Sequence, residues 1–278
     1  MSASHAKFCE YPCDNKLERQ DLVSGSAFDA TFSNTSWRAG VVYQPRATLS
    51  FYGQYATAVD PVGSLITLSQ RLSTLDLTTG RQIEVGVKQS LWDQRFEWTL
   101  AAYRIVKEDL LAQDPTSPNP ELVQQVGQQS SRGVEASIAL NLASRWRIDA
   151  NFAALNARFD EFGEEADAGV VSRAGKTPPS VPERTANLWV TWRFADRWNA
   201  RSGLRYVGQR FTDNANELEI PSYTVLDAAI DWGPRPNLSV GASLRNVADK
   251  VYAVSAYTTS QWILGQPRTF DVNARYRF

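Results

Sequence analysis

The chain has 278 residues, 43% of them hydrophobic and 21% charged, and its formal net charge is -1. This balance lacks the surplus of Lys and Arg that binding to phosphate backbones needs, so no nucleic-acid partner is expected. Nine Trp, ten Tyr and twelve Phe stand against one Met and one His, which suits a sheet-rich protein or the aromatic girdles of a membrane barrel. No secretory signal is recognisable at Met1, and the uncharged run 251–267 is too polar for a membrane helix.

The first 35 residues hold the only histidine, His5, and the only cysteines, Cys9 and Cys13. The cysteine spacing is compatible with a small disulfide loop in an oxidising compartment, and equally with two free thiols in a tail. These three side chains are too few for a closed zinc site, and with the only histidine at His5 no Ser–His arrangement is expected. We therefore expect no catalytic residue, no metal site and no cofactor, and we expect that the protein is not an enzyme.

From Trp37 onward, apolar and polar residues alternate with the period of two that a β-strand imposes. In the last segment Phe270, Val272, Ala274, Tyr276 and Phe278 share one face, which is predicted to be convex. The pattern predicts an all-β antiparallel meander of about eleven strands. They span residues 36–43, 49–58, 81–89, 95–105, 126–141, 146–157, 184–194, 198–211, 223–232, 238–246 and 269–278.

The connections between these strands alternate strictly between short and long. The short ones centre on 44–46, 91–93, 143–145, 195–197 and 233–237, and the long ones cover 59–80, 106–125, 158–183, 212–222 and 247–268. Outer-membrane barrels have short periplasmic turns and long extracellular loops, whereas a soluble sandwich, the alternative, has no reason to gather its long loops at one end. Strands of about ten residues also match the length that crosses a bilayer when tilted.

Several segments resemble the C-terminal barrel of TonB-dependent siderophore receptors. They are WRAGVVYQP (37–45), EVGVK (84–88), SRGVE (131–135), VPER (181–184), LRYVG (204–208) and LRNVADKVY (244–252). The strand glycines in them mark bulges or close approaches, and Asn246 with Asp249 suits a cap at a strand end. The resemblance implies a 22-stranded transmembrane barrel of which residues 36–278 form the C-terminal half. Residues 1–35 would correspond to an extracellular loop, and the plug domain and TonB box would be absent, as in a fragment.

The resemblance also implies a location and partners. Such receptors lie in the outer membrane of Gram-negative bacteria, bind a ferric siderophore and are driven by the TonB complex, here through the missing N-terminal region. Further expected partners are outer-membrane lipid, lipopolysaccharide and the barrel assembly machinery, for which Phe278 is the terminal signal. The alternatives are a TonB-dependent receptor for cobalamin, haem or a carbohydrate, and a passive porin-like barrel. The lack of a loop histidine disfavours haem, and an odd strand count disfavours a porin.

Aromatic and cationic residues in the loops are the candidates for ligand contact, because ferric siderophores are often anionic and carry planar groups. The candidates are Arg173, Arg210, Phe211, Tyr252, Tyr257 and Trp262. The alternative is that these side chains pack the loops against one another. An acidic group at 160–167 is interpreted as a solvated loop. We also expect residues 1–278 alone neither to close a barrel nor to import iron, because unpaired edges in hydrocarbon leave backbone groups unsatisfied.

Overall fold

The computed structural model describes residues 9–20, 27–60, 77–113, 123–167, 169–256 and 261–278. Within these ranges, no helix is long and apolar enough to cross a membrane. One antiparallel sheet contains twelve strands in chain order. These are β1 (Cys9–Gln20), β2 (Ala27–Arg46), β3 (Leu49–Asp60), β4 (Thr78–Leu91), β5 (Phe96–Gln113), β6 (Val123–Leu142), β7 (Trp146–Glu161), β10 (Arg184–Ala195), β11 (Trp198–Val207), β14 (Tyr223–Arg235), β15 (Leu238–Arg245) and β18 (Thr269–Tyr276).

Three small hairpins lie in the long connections and do not join the sheet. They are β8 (Gly163–Ala166) with β9 (Gly169–Ser172), β12 (Arg210–Phe211) with β13 (Glu219–Ile220), and β16 (Ala253–Ala256) with β17 (Trp262–Leu264). Within the described residues β1 and β18 each pair on one side only, so the sheet is open. The meander prediction is confirmed, with one strand more than the sequence pattern indicated.

The register places side chains of the same parity in continuous rows across the sheet. One row contains Tyr43, Phe51, Val87, Leu100, Ala136 and Phe152. The row on the opposite face contains Val42, Tyr52, Gly86, Ala101, Glu135 and Ala153. The first face is apolar but exposed, with Phe270 at 67% and Val272 at 63%. Among the described residues no second sheet packs on it, so the sandwich alternative is wrong.

The short connections are confirmed as tight turns at one end of the sheet. The turn after β4 has three consecutive residues with positive φ, namely Trp92, Asp93 and Gln94. The first predicted turn is displaced, because β2 continues to Arg46 and the turn is at 47–48. The register shifts between Tyr43 and Arg46. Pro45 lies in this irregularity, where a residue without an N–H is tolerated within a strand.

The strands extend further into the long connections than the alternation predicted. β5 continues to Gln113 and β7 to Glu161, and β1 with the start of β2 occupies much of the segment 1–35 that was predicted to be a loop. Beyond the apolar face water reaches both sides of a strand, so backbone pairing persists where alternation no longer has a physical cause.

The predicted disulfide between Cys9 and Cys13 does not fit β1. Both residues belong to one extended strand, where they pair with Arg38 and Asn34 of β2. Cα atoms four residues apart on a strand are separated by about 13 Å, whereas a disulfide spans at most about 7 Å. The extended backbone of β1 lends the disulfide no support, and the bond between Cys9 and Cys13 stays a prediction.

Candidate ligand-binding site at the loop end of the sheet

A compact buried core lies among the long connections at one end of the sheet. Tyr223, Val225 and Tyr252 form a buried cluster, and Ile220 of the neighbouring β13 is 0% exposed. The rings of Tyr223 and Tyr252 lie 4.3 Å apart, centroid to centroid. The segment after β11 and the segment after β15 therefore pack together and are not independent loops.

Arg210, a predicted ligand contact, lies inside this core and is only 6% exposed. Its Nη2 donates hydrogen bonds to the carbonyl oxygens of Val254 at 2.6 Å and Ala253 at 3.2 Å. Its guanidinium carbon lies 5.7 Å from the centre of the Tyr223 ring. The Nη1 atom has no hydrogen-bond partner within the described part of the chain. In this arrangement Arg210 joins β12 to β16, which is the packing alternative that the sequence left open.

Tyr252, a second candidate, is also buried and packs against the backbone of a glycine. Its ring lies over Gly265, where any Cβ would overlap the ring atoms. The N–H of Gly265 donates to the Tyr252 carbonyl at 2.8 Å. A glycine is required here because aromatic ring and backbone approach too closely for a side chain.

Asn246 immediately precedes the long connection 247–268, which contains Tyr252 and Gly265, and is only 2% exposed. Its Nδ2 donates to the carbonyls of Lys250 at 2.8 Å and Gln266 at 3.1 Å, and its Oδ1 accepts from the Lys250 N–H at 2.9 Å. Asp249 adds a second tie, because its Oδ1 accepts from the N–H of Arg268 at 2.9 Å. The capping role predicted for Asn246 and Asp249 is confirmed. Sequence reasoning did not identify Asn246 as a centre that fixes both ends of the segment.

Arg173, a third candidate, lies in a different long connection, 158–183, immediately after β9. Its Nε donates to Glu164 at 2.8 Å, and the other Glu164 oxygen accepts from Asn214 Nδ2 at 2.6 Å. Asn216 completes the connection through paired hydrogen bonds with the backbone of Thr177, each of 2.8 Å. Glu164 belongs to the acidic group that was interpreted as solvated. It instead links two long connections, which the spacing of charges alone did not indicate.

Asp213 shapes the turn that carries Asn214 and Asn216. Its carboxylate accepts from the N–H groups of Glu217 at 3.0 Å and Leu218 at 2.7 Å. Burial raises the pKa of the Asp213 carboxyl, but the backbone hydrogen bonds outweigh burial, so the pKa lies below its usual value. A negative charge at this position is therefore part of the turn.

The remaining three candidates differ in their surroundings. Phe211 is half-buried, and its carbonyl accepts from the N–H of Ser180 at 2.7 Å. Trp262 is 37% exposed at the start of β17. Tyr257 lies outside the described residues. Of the six predicted contacts, the structure thus brings Arg210, Phe211 and Tyr252 into one region and leaves Trp262 partly exposed.

The comparisons with known proteins agree with this architecture. The family model described as "TonB dependent receptor-like, beta-barrel" matches residues 14–247. The chain belongs to the TonB-dependent receptor β-barrel family.

Two relatives extend the match to nearly the whole chain. The probable TonB-dependent siderophore receptor PiuA of Acinetobacter baumannii is 26% identical and aligns with 94% of this chain and 37% of its own length. The ferrioxamine receptor of Yersinia enterocolitica is 27% identical over 95% of this chain and 36% of its own length. The chain thus spans little more than a third of these receptors. The crystal structure of PiuA superposes with a TM-score of 0.81 at 22% identity, covering 97% of this chain and 40% of that one.

Family membership places this receptor barrel in the outer membrane of a Gram-negative bacterium and orients the sheet. The tight turns face the periplasm, the long connections face outward, and the exposed apolar face meets lipid. A periplasmic aromatic girdle follows, in which Trp146 stacks on Trp192 at 5.1 Å and Trp198 on Trp232 at 5.5 Å. Trp189, which interrupts the polar pattern of β10, lies over Gly203 on the face opposite the lipid. Within the described ranges no group of three or more His, Cys, Asp or Glu forms a metal site.

Proposed function

We propose that this chain forms part of a receptor barrel for TonB-dependent uptake of a ferric siderophore. The observation that carries the proposal is the alignment of 94–95% of the chain with proteins named as siderophore receptors. The packed loop layer supports it, since a preorganised surface binds ligand at lower entropic cost than separate loops do. The protein would act as a transporter and not as an enzyme.

The ligand would bind at the extracellular end, above the core that contains Tyr223 and Tyr252. Among the candidates in the described part of the chain Trp262 is the most exposed, at 37%, and would stack against a planar chelating group. TonB would supply the energy, acting outside residues 1–278. The barrel assembly machinery would recognise β18 with the exposed Phe278 at its end, and lipopolysaccharide would surround the barrel in the outer leaflet.

Growth on defined siderophores tests the proposal. The gene encoding this chain, with its native upstream sequence, is expressed in a Gram-negative host that lacks siderophore receptors and is starved of iron. Hydroxamate, catecholate and carboxylate siderophores are then supplied as ferric complexes. We expect growth on at least one of them, and we expect deletion of tonB to abolish it.

Two controls decide between outcomes. Surface labelling of the receptor establishes that it reaches the outer membrane, so that lack of growth on every complex contradicts siderophore uptake. Growth that persists without TonB would instead support the passive porin-like alternative. Residues 1–278 behind a secretory signal form the second control, and we expect this chain alone to restore no growth.

A further inference from the structure

An exposed arginine lies in or directly beside each of the five short turns at the periplasmic end of the sheet. These rim arginines are Arg46, Arg95, Arg145, Arg197 and Arg235. The carboxylates within the same five turns are Asp93 and Asp196. Five positive charges thus stand against two negative ones, which gives this rim a net charge of +3.

Backbone hydrogen bonds place three of the rim arginines at equivalent positions. In each case the arginine carbonyl oxygen accepts an N–H from the next hairpin of the sheet, at 2.7–2.9 Å. The pairs are Arg95 with Asn141, Arg145 with Arg193, and Arg197 with Gly233. Consecutive turns are two strands apart, or about 10 Å at the usual strand spacing. The rim arginines therefore form a regular row along the periplasmic edge.

The row directly adjoins the periplasmic aromatic girdle. Arg145 immediately precedes Trp146, and Arg197 immediately precedes Trp198. Both tryptophans stack on a neighbour within the girdle. Girdle tryptophans lie at the level of the lipid headgroups, and one residue of a strand advances only about 3.3 Å. The guanidinium groups therefore lie at headgroup level on the periplasmic side, whichever way the side chains turn.

The rim arginines lack carboxylate partners in the described part of the chain. Arg46, Arg145 and Arg235 make no side-chain hydrogen bond or ion pair with any described residue. By contrast, Arg147, two residues further along β7 than Arg145, pairs with Asp149 at 2.7 Å. The sheet therefore neutralises an arginine that lies just inside the rim and leaves the charges of the rim itself uncompensated.

Arg197 occupies its turn at a cost to the backbone. Its φ is 70°, in the left-handed region that Gly and Asn adopt more easily. Its Nη1 donates to the carbonyl oxygen of Pro234 in the next turn at 2.7 Å, and Arg95 Nε donates to the carbonyl oxygen of Asn141 at 3.4 Å. A guanidinium has five N–H donors, so these bonds leave most donors and the whole positive charge available. An anion from outside the protein would pair with them.

We propose that the rim arginines bind the phosphates of an anionic glycerophospholipid of the periplasmic leaflet, of the phosphatidylglycerol type. The planar fork of arginine donates two parallel hydrogen bonds to a phosphate. The acyl chains of the same lipid would lie against the aromatic girdle and the apolar face, which free phosphate cannot do. The site requires the orientation of the barrel in the outer membrane and does not require siderophore transport.

Lipid binding to the purified full-length receptor tests the site. The receptor is delipidated in detergent, and phosphatidylglycerol or zwitterionic phosphatidylethanolamine with the same acyl chains is added. Bound lipid is counted by native mass spectrometry. We expect the unaltered receptor to prefer phosphatidylglycerol by about tenfold, since each cation near an anionic lipid contributes a factor of about five. The triple variant Arg46→Gln, Arg145→Gln, Arg235→Gln should lose this preference.

A matched control removes three exposed arginines from the face opposite the lipid. It carries Arg38→Gln, Arg205→Gln and Arg275→Gln, and it should change phosphatidylglycerol binding less than about twofold. Excess inorganic phosphate should not displace the bound lipid. If the triple variant does not show the heat-modifiable gel migration of a folded barrel, the comparison of the two lipids on the unaltered receptor and the single change Arg145→Gln still test the site.

Four results would overturn the proposal. The first is equal binding of the two lipids by the unaltered receptor, and the second is equal phosphatidylglycerol binding by the triple variant and its control. Displacement by inorganic phosphate would show a contact for free anions and not a lipid site. Binding to purified peptidoglycan that only the triple variant loses, without a preference between the lipids, would assign the rim arginines to the cell wall. None of these results depends on the siderophore growth assay.

Discussion

The lipid-facing wall and the extracellular loop core of this receptor barrel use apolar side chains in opposite ways. On the wall, Val272 and its neighbours in the rows are exposed, because hydrocarbon is their solvent. In the loop core, Ile220 and Tyr223 are buried, as in a water-soluble protein. One chain is therefore adapted to two solvents, hydrocarbon around the wall and water around the loops. The wall depends on strand alternation, whereas the loop layer depends on long-range contacts between segments that are distant in sequence.

The largest expected effect is in the loop core, at Asn246. Asn246→Leu removes three hydrogen bonds from a buried position and places Leu at a φ of 48°, which side chains other than Asn and Gly rarely adopt. We expect the segment 247–268 to lose about 3–5 kcal/mol of local stability. Hydrogen exchange of its amides, read by mass spectrometry, measures this loss. Asn246→Asp keeps the acceptor for the Lys250 N–H. The local stability of this variant should therefore lie between that of the unaltered protein and that of Asn246→Leu.

Charge on the lipid-facing wall should have the next largest effect. Val272→Arg places a cation in hydrocarbon and should destabilise the complete barrel by roughly 2–4 kcal/mol if the position is near the midplane. Asn273→Arg, one residue along and on the opposite face, should cost less. Urea titrations of refolding into lipid vesicles compare the two variants. Equal costs would mean that the faces are assigned the wrong way round.

Removing the buried cation Arg210 should loosen the loop core without affecting the wall. Arg210→Met leaves the carbonyls of Ala253 and Val254 without their donor, at a cost of about 2 kcal/mol. Arg268→Met, which removes an exposed ion pair with Asp249, is the control and should cost less than about 1 kcal/mol. Hydrogen exchange of β16 measures the difference, while vesicle refolding should be unchanged for both.

The turn at Asp213 should depend on pH by a smaller amount. Because the folded pKa of Asp213 is lowered below its usual 3.8, the charged carboxylate stabilises the turn fully above that value. This stability, about 1 kcal/mol, is lost as the pH falls through the folded pKa. Amide exchange at Glu217 and Leu218 should therefore accelerate relative to neighbouring amides in acid. Asp213→Asn should remove the dependence on pH, and a dependence that remains would assign it to another group.

Trp262 should have the smallest effect on stability, because it is 37% exposed, more than the buried Arg210 and Asn246. Trp262→Ala should cost no more than about 1 kcal/mol of loop stability. If the proposed function is correct, it should nevertheless weaken binding of the transported ferric siderophore by about tenfold, through loss of stacking. Equilibrium binding to the purified receptor measures this. Loss of stability without loss of affinity would place Trp262 in the loop packing with Arg210 and Tyr252.

The sequence alone determined the wall. Alternation from Trp37 to Phe278 identified eleven of the twelve strands, because hydrocarbon on one face forces every second side chain to be apolar. The same rule explains the omission of β1 and the short ends predicted for β5 and β7, since water on both sides of a strand removes the constraint. The glycines of the family segments were likewise identified, and Gly86 does lie beneath the ring of Tyr52.

Only the tertiary structure decided the roles of the loop residues. Arg210, Tyr252 and Trp262 are equivalent in sequence as polar or aromatic residues in long connections. Two of them are buried and one is exposed, because β12–β13 packs against β16–β17 across some forty residues of chain. Burial of this kind depends on which distant segment packs against the residue, and the local periodicity of the sequence does not indicate that segment. The pairing of Glu164 with Arg173 and Asn214 likewise depends on contact between two long connections.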